Sequence, residues 1–313
     1  MANLGIDFGA VNCKSNITGV VIPSKTVKVQ STLVGDNEIV TINGDSRAIG
    51  IGSYERDKDL KFKQNHFEHL FFSTIVHSTD DIENNIILGL PVDQYKKHKK
   101  EYKDFIKTIS NKEFNIKLKG KEEEQRRVVI NNVDIFPEGL GVLYSLTEEQ
   151  IKELEGHDIL IMDIGGSTTD WVLLRGTGLD RDIINHDSVP VGMHHLYNLV
   201  RGSIKRETED RISQETAEEI VEGRQKHSVY GKETDLSFIT DDKVTTLTEI
   251  IGDIKQEIGR EFKSAKMVVC GGGAKHFYEL CKVVQPNAIK VDKINANAIG
   301  YGKVCDIKYG TNK

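Results

Sequence analysis

The chain has 313 residues, of which 38% are apolar and 29% charged, and its 42 basic and 48 acidic side chains give a formal charge of −6. This composition excludes collagen-like, low-complexity and largely disordered chains. The length is typical of two domains of roughly 150 residues each. No apolar run approaches the roughly 18 residues that a membrane-spanning helix needs, and we expect no membrane association.

The four cysteines are scattered and form no CxxC pair, so the sequence indicates neither a zinc site nor a disulfide framework. A reducing, cytoplasmic location is the simplest interpretation, and the opening residues lack the pattern of a signal peptide. The acidic balance argues against a surface that is mainly a nucleic-acid footprint.

In chain order, apolar and β-branched runs alternate with helical patterns. The first half predicts a strand at Leu4–Asp7, a hairpin of Thr18–Ile22 with Thr26–Ser31, an amphipathic helix at Leu60–Val76, a strand that Pro91 stops, a surface helix from Asp93 to Ile109, and a strand at Arg126–Val133. The second half predicts a strand–turn–strand unit from His157 to Gly176, helices around His194–Lys205, Gln214–Glu222 and Lys243–Lys263, a strand before three glycines, and a last helix at Ala296–Val304. This alternation predicts an α/β protein with two sheet-centred units and mixed sheets.

Two segments share one pattern, in which an apolar residue, Asp, an apolar residue and Gly are followed by small or polar residues. They are Gly5–Ser15 and Ile161–Trp171. A glycine-rich turn between two strands lets backbone N–H groups approach an anion, and an Asp at the strand end suits a hydrated Mg²⁺. Two such hairpins facing one another could clamp a triphosphate.

A third element, Gly271-Gly272-Gly273, lies between a strand and a helix, where a nucleoside can approach the backbone. Each element alone is common in proteins without ligands, but the three in this order indicate nucleotide binding. The chain contains neither GxxxxGK[ST] nor GxGxxG, so this binding would be of neither the P-loop nor the Rossmann kind.

These motifs, "DFGAVNCKS", "DIGGSTTD" and "VVCGGGA", resemble the phosphate-1, phosphate-2 and adenosine motifs of the superfamily of actin, heat-shock chaperones and sugar kinases. The "PEG" segment and its spacing are most similar to bacterial actin-like proteins of the ParM type, which segregate plasmids. The resemblance implies an actin-like fold of two α/β domains around a nucleotide cleft. Domain I would comprise residues 1–150 with a small subdomain near 30–60, domain II residues 151–290, and residues 291–313 a C-terminal helix returning to domain I.

The resemblance also implies roles for individual residues. Asp7 and Asp163 would bind Mg²⁺ through water, Glu138 and Asp170 would align the attacking water, and Lys14 would reach the terminal phosphates. Glu222 is a candidate for the ribose hydroxyls. The backbone contacts to nucleotide would come from Gly9, Ala10, Val11 and Asn12 in the first loop, Gly165, Gly166, Ser167 and Thr168 in the second, and Gly271, Gly272 and Gly273 at the adenosine.

The implied function is an ATPase with ATP (or GTP) and Mg²⁺ as cofactors, which forms head-to-tail filaments and moves plasmid DNA through a DNA-binding adaptor at a centromere-like site. We expect no direct sequence-specific DNA binding. Two alternatives remain open: a small-molecule kinase of the same superfamily, and a non-polymerising ATP-dependent chaperone or reactivating factor. Strict dependence of phosphate release on an acceptor would favour the kinase.

Overall fold

The structure is a computed structural model that describes residues 1–29, 35–54 and 60–310. It comprises two compact units. Unit 1 consists of Met1–Glu148 and Asn295–Lys313, and unit 2 of Glu149–Ile294. Each unit is built around its own sheet and its own apolar core.

The strands are β1 (Ala2–Phe8), β2 (Asn12–Ser15), β3 (Val21–Pro23), β4 (Lys25–Lys28), β5 (Ile39–Ile42), β6 (Asp45–Tyr54), β7 (Glu83–Leu90), β8 (Asn111–Lys117), β9 (Glu123–Pro137), β10 (Ile159–Ile164), β11 (Thr169–Thr177), β12 (Asp180–Val189), β13 (Ser228–Val229), β14 (Lys232–Glu233), β15 (Lys266–Cys270) and β16 (Ile289–Lys290). The helices are α1 (Phe67–Ser78), α2 (Val92–Thr108), α3 (Leu140–Ser145), α4 (Glu148–Glu153), α5 (Met193–Thr208), α6 (Gln214–Val221), α7 (Phe238–Ile258), α8 (Glu261–Ser264), α9 (Ala274–Val284) and α10 (Ala296–Tyr309).

The sheet of unit 1 has the order β3-β2-β1-β7-β9-β8-β5-β6-β4 among the described residues. Its centre is parallel, because β1 pairs with β7 and β7 with β9 in the same direction. Parallel strands that run side by side end at one edge. This arrangement brings Asp7, Leu90 and Pro137 to the carboxyl edge of the sheet.

The sheet of unit 2 has the order β12-β11-β10-β15-β16 in the part of the chain that is described. β10 is antiparallel to β11 and parallel to β15, with Asp163 opposite both Asp170 and Cys270. Residues Ile159–Met162 are fully buried, and Leu160 and Met162 share a core with side chains of α5, α7 and α9. Mixed sheets in two α/β units confirm the predicted fold class. Among the described residues, no helix is both long and apolar enough to span a bilayer.

The predicted hairpin of Thr18–Ile22 with Thr26–Ser31 is wrong. β3 pairs with β2, whereas β4 pairs with β6. Because β3 and β4 are joined only by Ser24 yet form the two ends of the sheet, the sheet curls until its ends meet at that residue. Residues 30 and 31 lie outside the described residues.

Three predicted helices have different limits in the structure. A 3₁₀ turn at Lys61–Lys63 precedes α1, which begins only at Phe67 and buries eight of its twelve residues, so it is not amphipathic. The helix predicted at Lys243–Lys263 is two helices, since Gly259 adopts φ +54° after α7. α10 continues past Val304 to Tyr309.

Helices α3 and α10 of unit 1 cross at glycines. A Cβ on Gly300 would overlap the carbonyl oxygen of Gly141, and a Cβ on Gly141 would lie 2.9 Å from the carbonyl oxygen of Asn297. The Asn297 Oδ1 also accepts a hydrogen bond of 3.1 Å from the N–H of Gly139, next to the site residue Glu138. The crossing therefore fixes the segment that follows β9.

We expect Gly300→Ala to lower the free energy of unfolding by about 2 kcal/mol or more, because the methyl group meets backbone that cannot move away locally. Gly252→Ala is the matched control: it lies in the exposed middle of α7, has nothing near its Cβ, and should raise stability by up to about 1 kcal/mol through helix propensity. Urea unfolding of both variants checks this. Equal changes in the free energy of unfolding of the two variants would contradict the close approach of α3 and α10 at Gly300.

Candidate functional site

The first glycine loop joins β1 to β2 through a tight turn. The N–H of Gly9 donates a 3.0 Å hydrogen bond to the carbonyl oxygen of Asn12, and Phe8 pairs with Cys13 across the strands. A Cβ on Gly9 would lie 2.7 Å from that carbonyl oxygen, so the turn requires glycine. Ala10 is exposed at the tip, and Val11 and Asn12 are half-buried. The glycine-rich turn between two strands that the sequence predicts for Gly5–Ser15 is confirmed.

The charged residues beside this loop lie opposite each other on the two strands. Asp7 pairs with Lys14 in the ladder, and the Lys14 Nζ lies 3.1 Å from the Asp7 Oδ2. Asp7 is only 6% exposed. Lys14 therefore already stands beside the loop, with a carboxylate partner that a phosphate could replace.

Ser24 supports the loop from behind, a role that sequence reasoning missed. Its Oγ donates a 2.7 Å hydrogen bond to the Gly9 carbonyl oxygen, and its N–H donates one of 2.8 Å to the Val11 carbonyl oxygen. The side chain of Cys13 packs against it and is fully buried. Burial raises the pKa of the Cys13 thiol to about 12, so this cysteine is a packed residue and not a reactive one.

Glu138 lies at the same edge of the unit 1 sheet. Its N–H donates a 2.9 Å hydrogen bond to the carbonyl oxygen of Leu90, the last residue of β7. Its carboxylate is mostly buried, and the Oε1 lies 3.4 Å from the Nζ of Lys61. Lys61 is 77 residues away in sequence, in the 3₁₀ turn before α1, and no sequence signal pointed to it.

The second glycine loop repeats the geometry of the first. The N–H of Gly165 donates a 2.9 Å hydrogen bond to the carbonyl oxygen of Thr168, and a Cβ on Gly165 would lie 2.9 Å from that oxygen. Gly166 is half-buried, and Ser167 is exposed at the tip. The similarity that the sequence pattern predicts between the two segments is thus also present in the backbone.

The two hairpins differ in the charge opposite the first Asp. Lys14 faces Asp7, but Asp170 faces Asp163 at the equivalent ladder position. The Thr168 Oγ1 donates a 3.2 Å hydrogen bond to the Asp170 Oδ2. Asp163 and Asp170 thus bring two carboxylates together, which suits a cation, whereas Lys14 adds an ammonium group beside the first loop, which suits an anion.

The amino terminus of α5 is tied to the second loop. The N–H groups of Met193 and His194 donate to the carbonyl oxygens of Gly165 and Gly166, at 3.0 and 2.8 Å. A Cβ on Gly192 would lie 2.8 and 2.9 Å from the same two oxygens. These bonds satisfy donors that a helix start leaves free, and they fix the outer side of the loop. The sequence places a helix start here but did not reveal its contact with the loop.

The three glycines after β15 have different roles. A Cβ on Gly271, where φ is +85°, would overlap the Asp163 Oδ1, and a Cβ on Gly273 would lie 2.9 Å from the Ile164 Cβ. The N–H of Gly273 donates a 2.9 Å hydrogen bond to the Ile164 carbonyl oxygen. At Gly272, by contrast, a Cβ would meet only the Ile294 Cδ1, at 3.9 Å. Gly271 and Gly273 therefore pack the turn against the second loop, and Gly272 leaves open space.

Glu222 lies beside this turn, directly after α6. Its carboxylate accepts hydrogen bonds from Lys275 and from the His276 Nε2, the latter at 2.8 Å, in the first turn of α9. Burial alone would raise the pKa of Glu222, but these two bonds lower it below its usual range. Burial lowers the pKa of His276 against the opposing effect of Glu222. Glu222 thus ties the end of α6 to the helix that follows the glycines.

Comparison with known families gives one match in each of the two units. The family model of the N-terminal domain of actin-like proteins matches residues 5–141, and that of the C-terminal domain of archaeal MreB-like actin homologues matches residues 161–282. The chain belongs to the actin-like superfamily. No curated protein matches it.

Solved structures agree with the actin-like fold. The archaeal actin homologue Ta0583 superposes with a TM-score of 0.80 at 18% identity, over 98% of this chain and 100% of that one. A ParM filament from Clostridium botulinum gives a TM-score of 0.78 at 22% identity, over the same shares of the two chains. Ta0583 in complex with ADP gives 0.79 at 17% identity, over 98% of this chain and 100% of that one.

Within residues 1–29, 35–54 and 60–310, no group of three or more His, Cys, Asp or Glu side chains could hold a metal ion by itself. Mg²⁺ keeps several of its waters and needs one or two protein carboxylates, so Asp163 with Asp170 is a donor set that fits it.

We expect Gly271→Ala to lower the free energy of unfolding by about 2 kcal/mol, because it combines a left-handed backbone with overlap against Asp163. Gly272→Ala is the neighbouring control and should change it by less than about 0.5 kcal/mol, since its Cβ points into open space. Thermal unfolding of the two variants without nucleotide distinguishes them. Equal destabilisation would contradict the assigned packing.

Proposed function

We propose that this actin-like chain is a nucleotide-dependent, polymerising ATPase whose filaments segregate plasmid DNA through a DNA-binding adaptor. The repeated loop geometry carries the proposal: in each unit a Gly N–H closes a turn directly after a strand whose last residue but one is Asp. The known ADP complex of a structurally similar protein supports nucleotide binding.

Phosphate binding follows from the chemistry of the loops. In unit 1, the backbone of Gly9, Ala10, Val11 and Asn12 would contact phosphate oxygens. Lys14 would give up its ion pair with Asp7 and bind phosphate oxygens instead. In unit 2, the backbone of Gly165, Gly166, Ser167 and Thr168 would contact phosphate, with the Ser167 hydroxyl exposed at the tip. Glycine-rich turns bind anions through N–H groups that no side chain shields.

The Mg²⁺ that this proposal requires would be held through water by Asp7 and Asp163, with Asp170 orienting a metal-bound or attacking water. When bound, the ion neutralises charge on the phosphates. Asp163 and Asp170 face each other across β10 and β11, so both would contribute oxygens to one hydrated ion.

Hydrolysis requires mainly the positioning of water and the neutralisation of charge. Glu138 is fixed at the edge of the sheet by its bond to the Leu90 carbonyl and is mostly shielded from solvent. Lys61 orients its carboxylate, which would accept the proton of an attacking water. Gly271, Gly272 and Gly273 would lie against the adenosine, and Glu222 against the ribose.

Filament formation is supported by the structural neighbours, since the ParM from Clostridium botulinum and Alp12 are both known as filaments. A head-to-tail contact uses two different surfaces of the same chain, so it produces open helical filaments. The formal charge of −6 suits contact with DNA through a separate basic adaptor rather than directly.

The direct experiment is pelleting and negative-stain microscopy with Mg-ATP, Mg-GTP, Mg-ADP and no nucleotide, followed by addition of plasmid DNA and candidate adaptors. We expect filaments with a nucleoside triphosphate and their disassembly after hydrolysis. Intact nucleotide binding without filaments at any concentration would contradict the proposal. Phosphate release that strictly requires an acceptor would instead identify a kinase.

We expect Glu138→Gln to reduce phosphate release by roughly 10²- to 10⁴-fold, because a carboxamide cannot accept a proton from water. Its filaments should outlast those of the wild type while nucleotide affinity is retained. Glu122→Gln, in the exposed turn between β8 and β9, is the control and should change neither quantity. Unchanged phosphate release in Glu138→Gln would show that this residue does not act on water.

A further inference from the structure

Unit 2 carries a small hairpin that ends in a fully exposed aromatic side chain. β13 and β14 pair through Ser228 with Glu233 and Val229 with Lys232, and Tyr230 with Gly231 forms the tip. Tyr230 is 104% exposed, which is as open as a side chain can be. We call Tyr230 and Lys232 together the knob.

The base of the hairpin is firmly anchored. His227 is 5% exposed, with its Nδ1 2.8 Å from the Thr234 Oγ1 and its Nε2 3.1 Å from the Asp210 Oδ2. The N–H of Thr234 donates a 2.9 Å hydrogen bond to the His227 carbonyl oxygen, and Lys226 forms a 2.8 Å ion pair with Glu233. The knob is therefore presented by an ordered support.

Tyrosine is an unfavourable choice for this turn. Tyr230 has φ +49° and Gly231 has φ +79°, the pattern of a type I′ turn, in which Asn followed by Gly is preferred. A bulky residue in the left-handed region is strained, and here the ring gains no contact within its own chain that would compensate. Such an outlier points to a role outside the chain's own folding.

Elsewhere on unit 2, an open cavity of about 470 Å³ lies between α4, α9 and the edge strand β16. Tyr278 and the buried Ala288 and Ile289 provide its apolar surface. Its exposed lining residues include three acids, Glu153, Glu279 and Asp292.

These acids are unequally neutralised within the chain. Asp292 forms a 2.5 Å ion pair with Lys290, whereas Glu279 lies 3.7 Å from Lys282 and is 81% exposed. The cavity therefore offers the Tyr278 ring within a mainly polar lining, in which three acids outnumber Lys290. The ammonium groups of Lys282 and Lys290 lie 5.7 and 5.8 Å from the centre of that ring.

We propose that the knob of one copy inserts into this cavity on a second copy, with the Tyr230 ring on Tyr278 and Lys232 beside Glu279. The open cavity has room for one aromatic ring. Lys232 is exposed and basic, and three of the four charged residues that line the cavity are acids. Aromatic anchors in pockets contribute much of the affinity of protein interfaces.

The knob and the cavity share no residue, so their contact is heterologous. Each copy that uses its knob leaves its own cavity free for the next copy, and repetition gives an open chain of subunits. This inference rests on the proposed polymerisation and assigns the residues of one contact in it.

The first test uses Tyr230→Asn, which improves the turn while removing the ring. We expect a thermal midpoint equal to or above that of the wild type, and a critical concentration for assembly at least tenfold higher. Tyr230→Phe, which keeps the ring, should stay within about threefold of the wild type. Normal assembly of Tyr230→Asn would overturn the proposal.

The second test exchanges the charges. Lys232→Glu and Glu279→Lys should each weaken assembly severalfold, and the double variant should recover it, because the pair is then restored with opposite signs. Additive losses in the double variant would contradict this pairing of the knob with the cavity.

A third test does not depend on filaments. The native cysteines Cys13, Cys270, Cys281 and Cys305 are all buried, so a mixture of Lys232→Cys and Glu279→Cys chains can be treated with a short bismaleimide. We expect a crosslinked dimer that the single variants alone do not form. Crosslinking without wild-type filaments would support the contact but contradict polymerisation, whereas normal filaments without crosslinking would overturn the contact alone.

Discussion

The candidate site depends on two equivalent hydrogen bonds, one in each unit, that close the glycine turns. The N–H of Gly9 bonds to the Asn12 carbonyl, and the N–H of Gly165 bonds to the Thr168 carbonyl. Each bond closes a turn that reverses the chain immediately after a strand. An Asp near the end of that strand therefore lies beside the first side chains of the next strand. A side chain in place of either glycine would meet the carbonyl oxygen that closes the turn.

The surrounding structure keeps these turns in place from several directions. Ser24 supports the first loop, and in unit 2 the start of α5 and the glycines after β15 contact the second loop. The one clear difference between the hairpins is Lys14 opposite Asp7 and Asp170 opposite Asp163. The first thus pairs its Asp with a Lys, and the second places two carboxylates opposite each other.

Sequence reasoning succeeded where the signal was local. The two glycine turns, the strand before Pro91, the helix α2 and the turn before α9 all follow from neighbouring residues, and the structure confirms them. It was wrong for the hairpin of Thr18–Ile22 with Thr26–Ser31, because the pairing of β4 depends on residues of β6 that are 19 to 29 positions away. Lys61, Ser24 and Gly192 were missed for the same reason, since each reaches its partner through the folded chain. The roles given to individual residues toward nucleotide stay predictions.

The measurement that tests the central claim most directly is calorimetric titration of the chain with ATP, with and without Mg²⁺, in the wild type, Lys14→Met and Asp163→Asn. We predict tight binding to the wild type, a loss of at least tenfold in affinity in Lys14→Met, and loss of the magnesium dependence in Asp163→Asn, with all three chains folded. Wild-type affinity and an unaltered magnesium dependence in both variants would contradict the assignment of these hairpins as phosphate-binding loops.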